Sequence, residues 1–157
     1  MNKTLIRAIG RLNEAWLREG VDMYVDRCKP FTNLQIIELP EGHGGSAKPD
    51  IEKAKHIEAE ALSKGLPPDA ALVALDETGK SLTSAGLAEC LASWKSEGKT
   101  VCFAIGGSWG LGAEILKKAD LTLSLGKITL PHGLARLILA EQIYRAHSIL
   151  AGKAYHK

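Results

Sequence analysis

Alternating strand and helix patterns run along the whole chain and constrain its fold more than any other feature. Five short segments are nearly continuous in apolar character, as strands are: residues 3–9, 33–39, 70–75, 100–105 and 121–125. Helical patterns separate and follow them, at residues 12–28, 50–64, 83–97, 113–119 and 133–151. Nearly continuous apolar strands are buried on both faces, and strands that alternate with helices pair in parallel. The sequence therefore predicts an α/β fold with a mostly parallel sheet flanked by helices.

Length and composition are those of one soluble domain that spans residues 1–157. The hydrophobic share is 45% and the charged share is 24%, which are ordinary values for a globular protein. The chain contains no run of about 18 apolar residues, so we expect no membrane span. Its first residues become polar too early for a signal peptide. We therefore expect a cytoplasmic protein.

The cysteine content and the net charge exclude little but point to no special chemistry. Cys28, Cys90 and Cys102 are odd in number and far apart in the sequence. Disulfide frameworks and zinc sites need closer and more numerous ligands, so we expect packed thiols and no metal. The net charge is +2 and the aromatic share is 5%. Nucleic-acid-binding proteins usually carry a denser basic surface, so composition alone does not predict RNA binding.

Three loops follow predicted strands in the second half of the chain, at residues 75–80, 105–112 and 126–132. Ligands of open parallel sheets bind at the carboxyl ends of the strands, so these loops are the candidate binding site. The middle loop has four glycines in the seven residues 106–112, which lets its backbone approach a ligand closely. Its spacing matches neither dinucleotide-binding nor nucleoside-triphosphate-binding loops. A plain turn between strand and helix remains the alternative for this loop.

Polar residues on the last helix and the tail are candidates with ordinary alternatives. His132 follows Pro131, where a histidine more often begins a helix than acts in catalysis. Glu141 and Arg145 are four residues apart, so they could form a simple surface ion pair. Tyr155 and His156 lie in a C-terminal tail for which spacing alone favours a frayed end. An aromatic ring and an imidazole would also suit stacking on a nucleic-acid base.

Five motifs, taken together and in order, resemble those of a known family. They are Leu-Asp-x-x-Gly-Lys at 75–80, Ile-Gly-Gly-x-x-Gly at 105–110, Leu-Pro-His at 130–132, Glu-Gln-x-Tyr-Arg-Ala at 141–146 and the terminal Tyr-His-Lys. With them the chain resembles, over nearly its whole length, the SPOUT-class methyltransferases that modify N3 of a pseudouridine in large-subunit (23S) ribosomal RNA. The resemblance implies a trefoil knot in the C-terminal half, where periodicity alone favours an unknotted sheet. It also implies a homodimer acting on the ribosome.

The resemblance further implies a binding site for the methyl donor, S-adenosylmethionine, in the knot. Its cofactor-binding residues would be Leu75, Gly106, Gly126, Lys127, Ile128, Thr129, Leu130 and Pro131. The pseudouridine would be held by His132, Glu141, Arg145, Tyr155 and His156, across the dimer interface. Among these, Arg145, Tyr155 and His156 are the candidate catalytic residues: His156 would accept the N3 proton, or Arg145 would stabilise the negative charge on the base.

Three alternatives remain open at this point. The same donor pocket could serve another RNA, such as transfer RNA, although the chain has no appended RNA-binding domain. The fold could instead belong to a ribosome-associated binding protein without catalytic activity, which would be expected to have a degenerate donor pocket. An ordinary Rossmann-type nucleotide binder is the third alternative, and the glycine spacing at 106–112 disfavours it.

Overall fold

Residues 2–157 are described by the structure, a computed structural model. Strands and helices alternate strictly and end with the longest helix, as predicted. The strands are β1 (Lys3–Ile9), β2 (Asn33–Leu39), β3 (Ala71–Ser81), β4 (Val101–Ile105) and β5 (Leu121–Ser124). The helices are α1 (Ala15–Cys28), α2 (Ile51–Ser63), α3 (Ser84–Ser96), α4 (Ala113–Lys118) and α5 (His132–Leu150).

All five strands form one parallel sheet in the order β2-β1-β4-β3-β5. Strand β1 lies between β2 and β4, so that Leu5 pairs with Gln35 on one side and with Cys102 on the other. Because every pairing is parallel, the carboxyl ends of the strands share one edge of the sheet. The predicted α/β fold with a parallel sheet flanked by helices is confirmed. The trefoil knot stays a prediction.

Each face of the sheet is covered by its own helices. Ile6 and Ala8 of β1 point to a core that includes residues of α1, α3 and α5. Leu5 and Ile9 point to the opposite core, which includes residues of α2 and α4. This alternation along one strand is what a sheet buried on both faces requires. The long helix α5 therefore lies beside α1, and its first residue lies at the carboxyl edge of the sheet.

Two predicted element boundaries are wrong, and both have a physical cause. Strand β3 does not end at Leu75 but continues to Ser81, with a register shift against β5 between Leu75 and Lys80. Gly79 permits this because a Cβ there would lie 2.5 Å from the carbonyl oxygen of Thr122. The glycine therefore marks a close backbone approach rather than a turn.

Helix α1 begins at Ala15, three residues later than the predicted Leu12. The backbone of Leu12 is held outside the helix by two side chains. Its N–H donates to Glu38 Oε2 at 3.1 Å, and its carbonyl accepts from Arg18 Nη1 at 2.8 Å. The Leu12 carbonyl thus accepts from Arg18 instead of from the backbone N–H that an earlier helix start would place four residues on.

The thiols and the remaining surface agree with a packed fold. Cys28 and Cys102 are buried, and burial raises the pKa of Cys28 to about 12 and that of Cys102 to about 11. Cys90 is half-buried. Over residues 2–157, no helix has the length and apolar character needed to cross a membrane. The same residues contain no cluster of three or more histidine, cysteine or acidic side chains suited to a metal ion.

Candidate functional site

A cavity of about 780 Å³ lies at the carboxyl edge of the sheet, beside the middle of β3 and the ends of β4 and β5. All three loops singled out from the sequence contribute to it. Its lining includes Leu75, Asp76, Glu77, Ile105, Gly106, Gly107, Ser108, Trp109, Gly110, Leu123, Leu125, Gly126, Ile128, Thr129, Leu130, Pro131 and His132. The parallel sheet thus brings together segments that are far apart in the sequence, as the strand pattern predicts.

The glycine loop after β4 is folded back on itself beside this cavity. Gly107 and Gly110 form an isolated bridge, with the N–H of Gly110 donating to the Gly107 carbonyl at 3.1 Å. Gly110 has a φ of +79°, which L side chains rarely adopt. A Cβ on Gly106 would lie 2.6 Å from the carbonyl carbon of Gly110. The tight turn therefore requires glycine at 106 and leaves backbone facing the cavity.

Seven of the eight residues expected to bind the donor line this cavity, and Lys127 is the exception. Ile128 is apolar and yet 75% exposed. Gly126 has a φ of +131°, which L side chains rarely adopt, so the backbone there favours glycine. The donor-binding roles of all eight residues stay predictions.

The lining also includes residues to which the sequence assigns no individual role, among them Lys55, Asp76, Glu77 and Trp109. Trp109 stands within the glycine loop and is 41% exposed, so its position could have been inferred from that loop. Asp76 and Glu77 follow Leu75 on the part of β3 that was expected to be a turn. Lys55 comes from α2, and no local sequence signal indicates that this helix reaches the cavity.

His132 is the first residue of α5 and lines both the large cavity and a smaller one of about 200 Å³. The ring is half-buried, and within residues 2–157 its Nδ1 is buried without a hydrogen-bond partner. Its Cε1 lies 3.7 Å from the position that a Cβ on Gly10 would occupy. His132 is therefore both a helix-start residue and a cavity residue, and its contact with substrate stays a prediction.

A second group of polar side chains forms on α5 and the tail. Glu141 Oε1 accepts from Arg145 Nε at 2.9 Å and from the Tyr155 hydroxyl at 3.0 Å. Arg145 Nη1 donates to His156 Nδ1 at 3.2 Å, and its Cζ lies 4.6 Å from the centre of the Tyr155 ring. The tail is therefore docked on α5, and the frayed end favoured by spacing alone is wrong. These four residues are called the tail cluster below.

The electrostatics of the tail cluster make two of its members harder to deprotonate than usual. The hydrogen bond from Arg145 to Glu141 is the main cause that raises the pKa of Arg145. Burial, together with hydrogen bonds to Tyr24 and Glu141, raises the pKa of Tyr155 to about 12. Both side chains are therefore hydrogen-bond donors at neutral pH. Glu141 accepts from a third protein group, Gln142 Nε2, at 2.7 Å, so its carboxylate is fully engaged within the chain.

The cavity and the tail cluster lie apart in one chain. His132 at the cavity and Glu141 in the cluster are both on α5, nine residues apart. At a helical rise of 1.5 Å per residue, Glu141 lies about 14 Å and Arg145 about 20 Å along the axis from His132. The cavity and the tail cluster are therefore separated by about 14 to 20 Å along α5 in one chain.

The fold and cavity define a class of protein: a parallel α/β domain with a ligand pocket of glycine-rich and proline-containing loops at the carboxyl edge of its sheet. Comparison with known families gives the particular family. The model described as "Predicted SPOUT methyltransferase" matches residues 1–156. The chain belongs to the SPOUT methyltransferase family and is a methyltransferase.

Individual relatives are similar over their full length. A protein from Chromobacterium violaceum is 44% identical over 156 residues, which are 99% of both chains. One from Janthinobacterium sp. (strain Marseille) is 40% identical over 154 residues, covering 98% of this chain and 97% of the relative. One from Desulfotalea psychrophila is 39% identical over 153 residues, which are 97% of both. All three relatives are named ribosomal RNA large subunit methyltransferase H.

Proposed function

We propose that this methyltransferase takes its methyl group from S-adenosylmethionine and transfers it to N3 of a pseudouridine in large-subunit (23S) ribosomal RNA. The observation that carries the proposal is the cavity at residues 75–77, 105–111 and 125–132, in a chain similar throughout to proteins named for that RNA. Its single domain, residues 1–157, would act in the cytoplasm, on the assembled ribosome.

The residues of the cavity fit the proposed donor. Its volume of about 780 Å³ lies within the range of small-molecule and cofactor sites. Leu75, Leu123 and Leu125 offer apolar surface for an adenine ring, and the glycine loop offers main-chain groups. Asp76 and Glu77 add negative charge beside a donor whose sulfonium and ammonium groups are positive. When bound, the donor supplies an electrophilic methyl group.

The tail cluster fits the acceptor base. Methylation at N3 replaces the N3 proton, so negative charge develops on the ring oxygens as that proton leaves. Arg145 is held by Glu141 and stays protonated, so it would donate to this charge. Tyr155, with a pKa of about 12, would donate as well and would not act as a base at neutral pH. These properties support charge stabilisation by Arg145 and Tyr155.

His156 is a weaker candidate for the proton acceptor in this arrangement. Its Nδ1 accepts from Arg145 at 3.2 Å, so a neutral ring carries its own proton on Nε2. Such a ring would present a donor, not an acceptor, to the base. We therefore propose that the N3 proton passes to water, and that His156 holds Arg145 and a ring oxygen in place.

A homodimer would unite the two halves of this site. About 14 to 20 Å of helix separates the cavity from the tail cluster in one chain. A second copy could place its tail cluster at the mouth of the cavity, where Ile128 is 75% exposed and would be covered. The site is therefore proposed to be composite, with the donor on one subunit and the base held by the other.

Purified protein and radiolabelled S-adenosylmethionine, incubated with ribosomes from a strain that lacks the protein, test this function. Free ribosomal RNA and bulk transfer RNA serve as parallel substrates. Label in large-subunit RNA from assembled ribosomes is the expected result. Label in transfer RNA would instead support the first alternative. Donor binding without label in any of these substrates would contradict the ribosomal assignment and support a binding protein without transfer activity.

Mixed dimers test the composite site. Gly106→Ala damages the donor cavity and Arg145→Ala damages the tail cluster, so at a donor concentration well below the Kd of Gly106→Ala each variant alone should have little activity. Unfolded and refolded together in equal amounts, they should regain about a quarter of the wild-type rate, because half the dimers are mixed and each has one intact site. Variants that stay inactive together, in dimers shown by mass spectrometry to be mixed, would contradict the composite site.

A further inference from the structure

The tyrosines gather at one place on the surface. The chain has three tyrosines and two phenylalanines. All three tyrosines and Phe31 lie together where the end of α1 meets α5 and the tail. The ring centres of Tyr24 and Tyr144 are 6.2 Å apart, those of Phe31 and Tyr144 are 6.2 Å apart, and those of Tyr144 and Tyr155 are 4.8 Å apart. This aromatic cluster thus continues the tail cluster onto α1.

An arginine lies over these rings without a carboxylate partner. The guanidinium carbon of Arg27 is 5.4 Å from the centre of the Tyr24 ring and 6.0 Å from that of Tyr144. Arg27 is exposed, and across residues 2–157 its side chain takes part in no ion pair or hydrogen bond. The adjacent acid, Asp26, is paired with Lys29 at 2.7 Å. The rings therefore hold the guanidinium in place while its N–H donors remain available.

The position of Arg27 relative to the tail cluster suggests what those donors bind. Tyr24, under Arg27, and Tyr155, under Arg145, both pack against the ring of Tyr144. The two guanidiniums thus lie against one cluster of tyrosines. Each nucleotide of an RNA strand presents a base and, next to it, a phosphodiester group. Arginine binds such phosphate oxygens through two parallel N–H donors.

We propose that Arg27, supported by Tyr24, binds a phosphodiester of the RNA strand beside the target nucleotide. This proposal rests on the proposed function, since it places the phosphate next to the base held by the tail cluster. Stabilisation of helix α1 is a weaker explanation for an arginine at this position. A cation in the last turn of α1 is favoured by the helix dipole, but a lysine would serve that purpose equally. The contact of one guanidinium with two rings, at 5.4 Å and 6.0 Å, suits arginine better than the compact ammonium of lysine.

Binding to purified large ribosomal subunits, measured by co-sedimentation over a series of KCl concentrations, tests the proposal. The variants are Arg27→Gln, Arg27→Lys and, as a matched control at the same helix end, Lys29→Gln. Arg27→Gln should weaken binding about tenfold and reduce the salt dependence by about one phosphate contact. Arg27→Lys should keep the salt dependence but recover only part of the affinity. Lys29→Gln should bind as the wild type does, because its charge is already paired with Asp26.

Two further readouts show whether Arg27 acts through RNA binding alone. Donor binding by Arg27→Gln should equal that of the wild type. Its rate at saturating ribosomes should change less than about twofold, because the phosphate contact would be equally strong before and during methyl transfer. Unchanged affinity and salt dependence in Arg27→Gln would overturn the proposal, as would loss of the dimer in that variant. A wild type that methylates no ribosomal RNA would overturn the proposed function instead, so the two failures are distinguishable.

Discussion

An ion pair with one buried member joins the start of α5 to the end of β2 and offers a quantitative test of the fold. The side chain of Arg136 is 1% exposed, and its Nη1 lies 2.5 Å from Glu38 Oε2. Its Nη2 donates to the carbonyl of Gly10 at 3.0 Å. Glu38 Oε2 also accepts from the N–H of Leu12. Arg136 lies one helical turn beyond His132, so this network holds the end of α5 that borders the cavity.

The two members of the pair should respond differently to substitution. Glu38→Gln leaves the cation of Arg136 buried beside a neutral amide. Breaking a buried pair costs about 3–5 kcal/mol, but Glu38 is 41% exposed and water will screen part of the loss, so we expect about 2 kcal/mol. Arg136→Met removes the buried charge and leaves Glu38 in contact with water. It should cost about 1 kcal/mol, chiefly for the unpartnered carbonyl of Gly10.

Urea unfolding of the single variants and the double variant measures this asymmetry. Protein concentration must be fixed, because the stability of a dimer depends on it. The double variant should be more stable than the sum of the singles predicts, by about 1 kcal/mol or more, since the amide no longer faces a buried charge. Glu97→Gln, which breaks the exposed pair with Lys99, is the control and should not shift the midpoint. Additive effects, or a Glu38→Gln loss below about 0.5 kcal/mol, would refute the reasoning.

Three further predictions follow from single residues. Burial lowers the pKa of His147 from 6.5 to about 4, so the unfolded chain binds this proton first as the pH falls. As far as His147 is concerned, the folded protein therefore keeps its full stability above pH 6.5 and loses stability as the pH falls towards 4. We expect the wild type to lose about 2 kcal/mol of its free energy of unfolding between pH 7 and pH 5. In His147→Gln, urea unfolding at both pH values should not show this loss. Gly106→Ala should weaken donor binding about tenfold or more in calorimetry, because the glycine loop must shift. Glu58 is 3% exposed and accepts from the N–H of Gly42 at 2.9 Å. Glu58→Ala should therefore lower the free energy of unfolding in urea by about 1–3 kcal/mol. Glu58→Gln keeps an acceptor and should lower it less.

Each of these predictions has a contrary outcome. An unchanged difference in stability between the two pH values in His147→Gln would show that other groups cause the pH dependence. Donor affinity equal to that of the wild type in Gly106→Ala would separate the glycine loop from the donor. Equal losses in Glu58→Ala and Glu58→Gln would show that the carboxylate charge, rather than the acceptor for Gly42, matters.

The sheet and the location of the cavity could be predicted because both depend on local pattern. Strands of five to seven apolar residues, separated by helical segments, leave few arrangements other than a parallel sheet. Ligands of such sheets bind at one edge, so the loops at 75–80, 105–112 and 126–132 could be placed together from the strand pattern alone. The motifs within them then indicated the family.

Other features depend on contacts that no local pattern contains. The extension of β3 to Ser81 depends on Gly79 meeting the backbone of β5, and a glycine in a turn looks the same in sequence. The segment before α1 is held by a hydrogen bond from the Leu12 N–H to Glu38, which is 26 residues away. The docking of Tyr155 depends on its hydrogen bond to Glu141 and its packing on Tyr144, both on α5. The sequence around Arg27 does not reveal its position over Tyr24 and Tyr144, because Tyr144 lies on a different helix.

Nucleoside mass spectrometry of large-subunit RNA tests the central claim most directly. RNA from a strain that lacks the protein would be compared with RNA from the same strain supplied with the wild type or with Arg145→Ala. We predict that N3-methylated pseudouridine is absent without the protein, returns with the wild type and does not return with Arg145→Ala. The modified nucleoside persisting in the strain that lacks the protein, or returning fully with Arg145→Ala, would contradict the account.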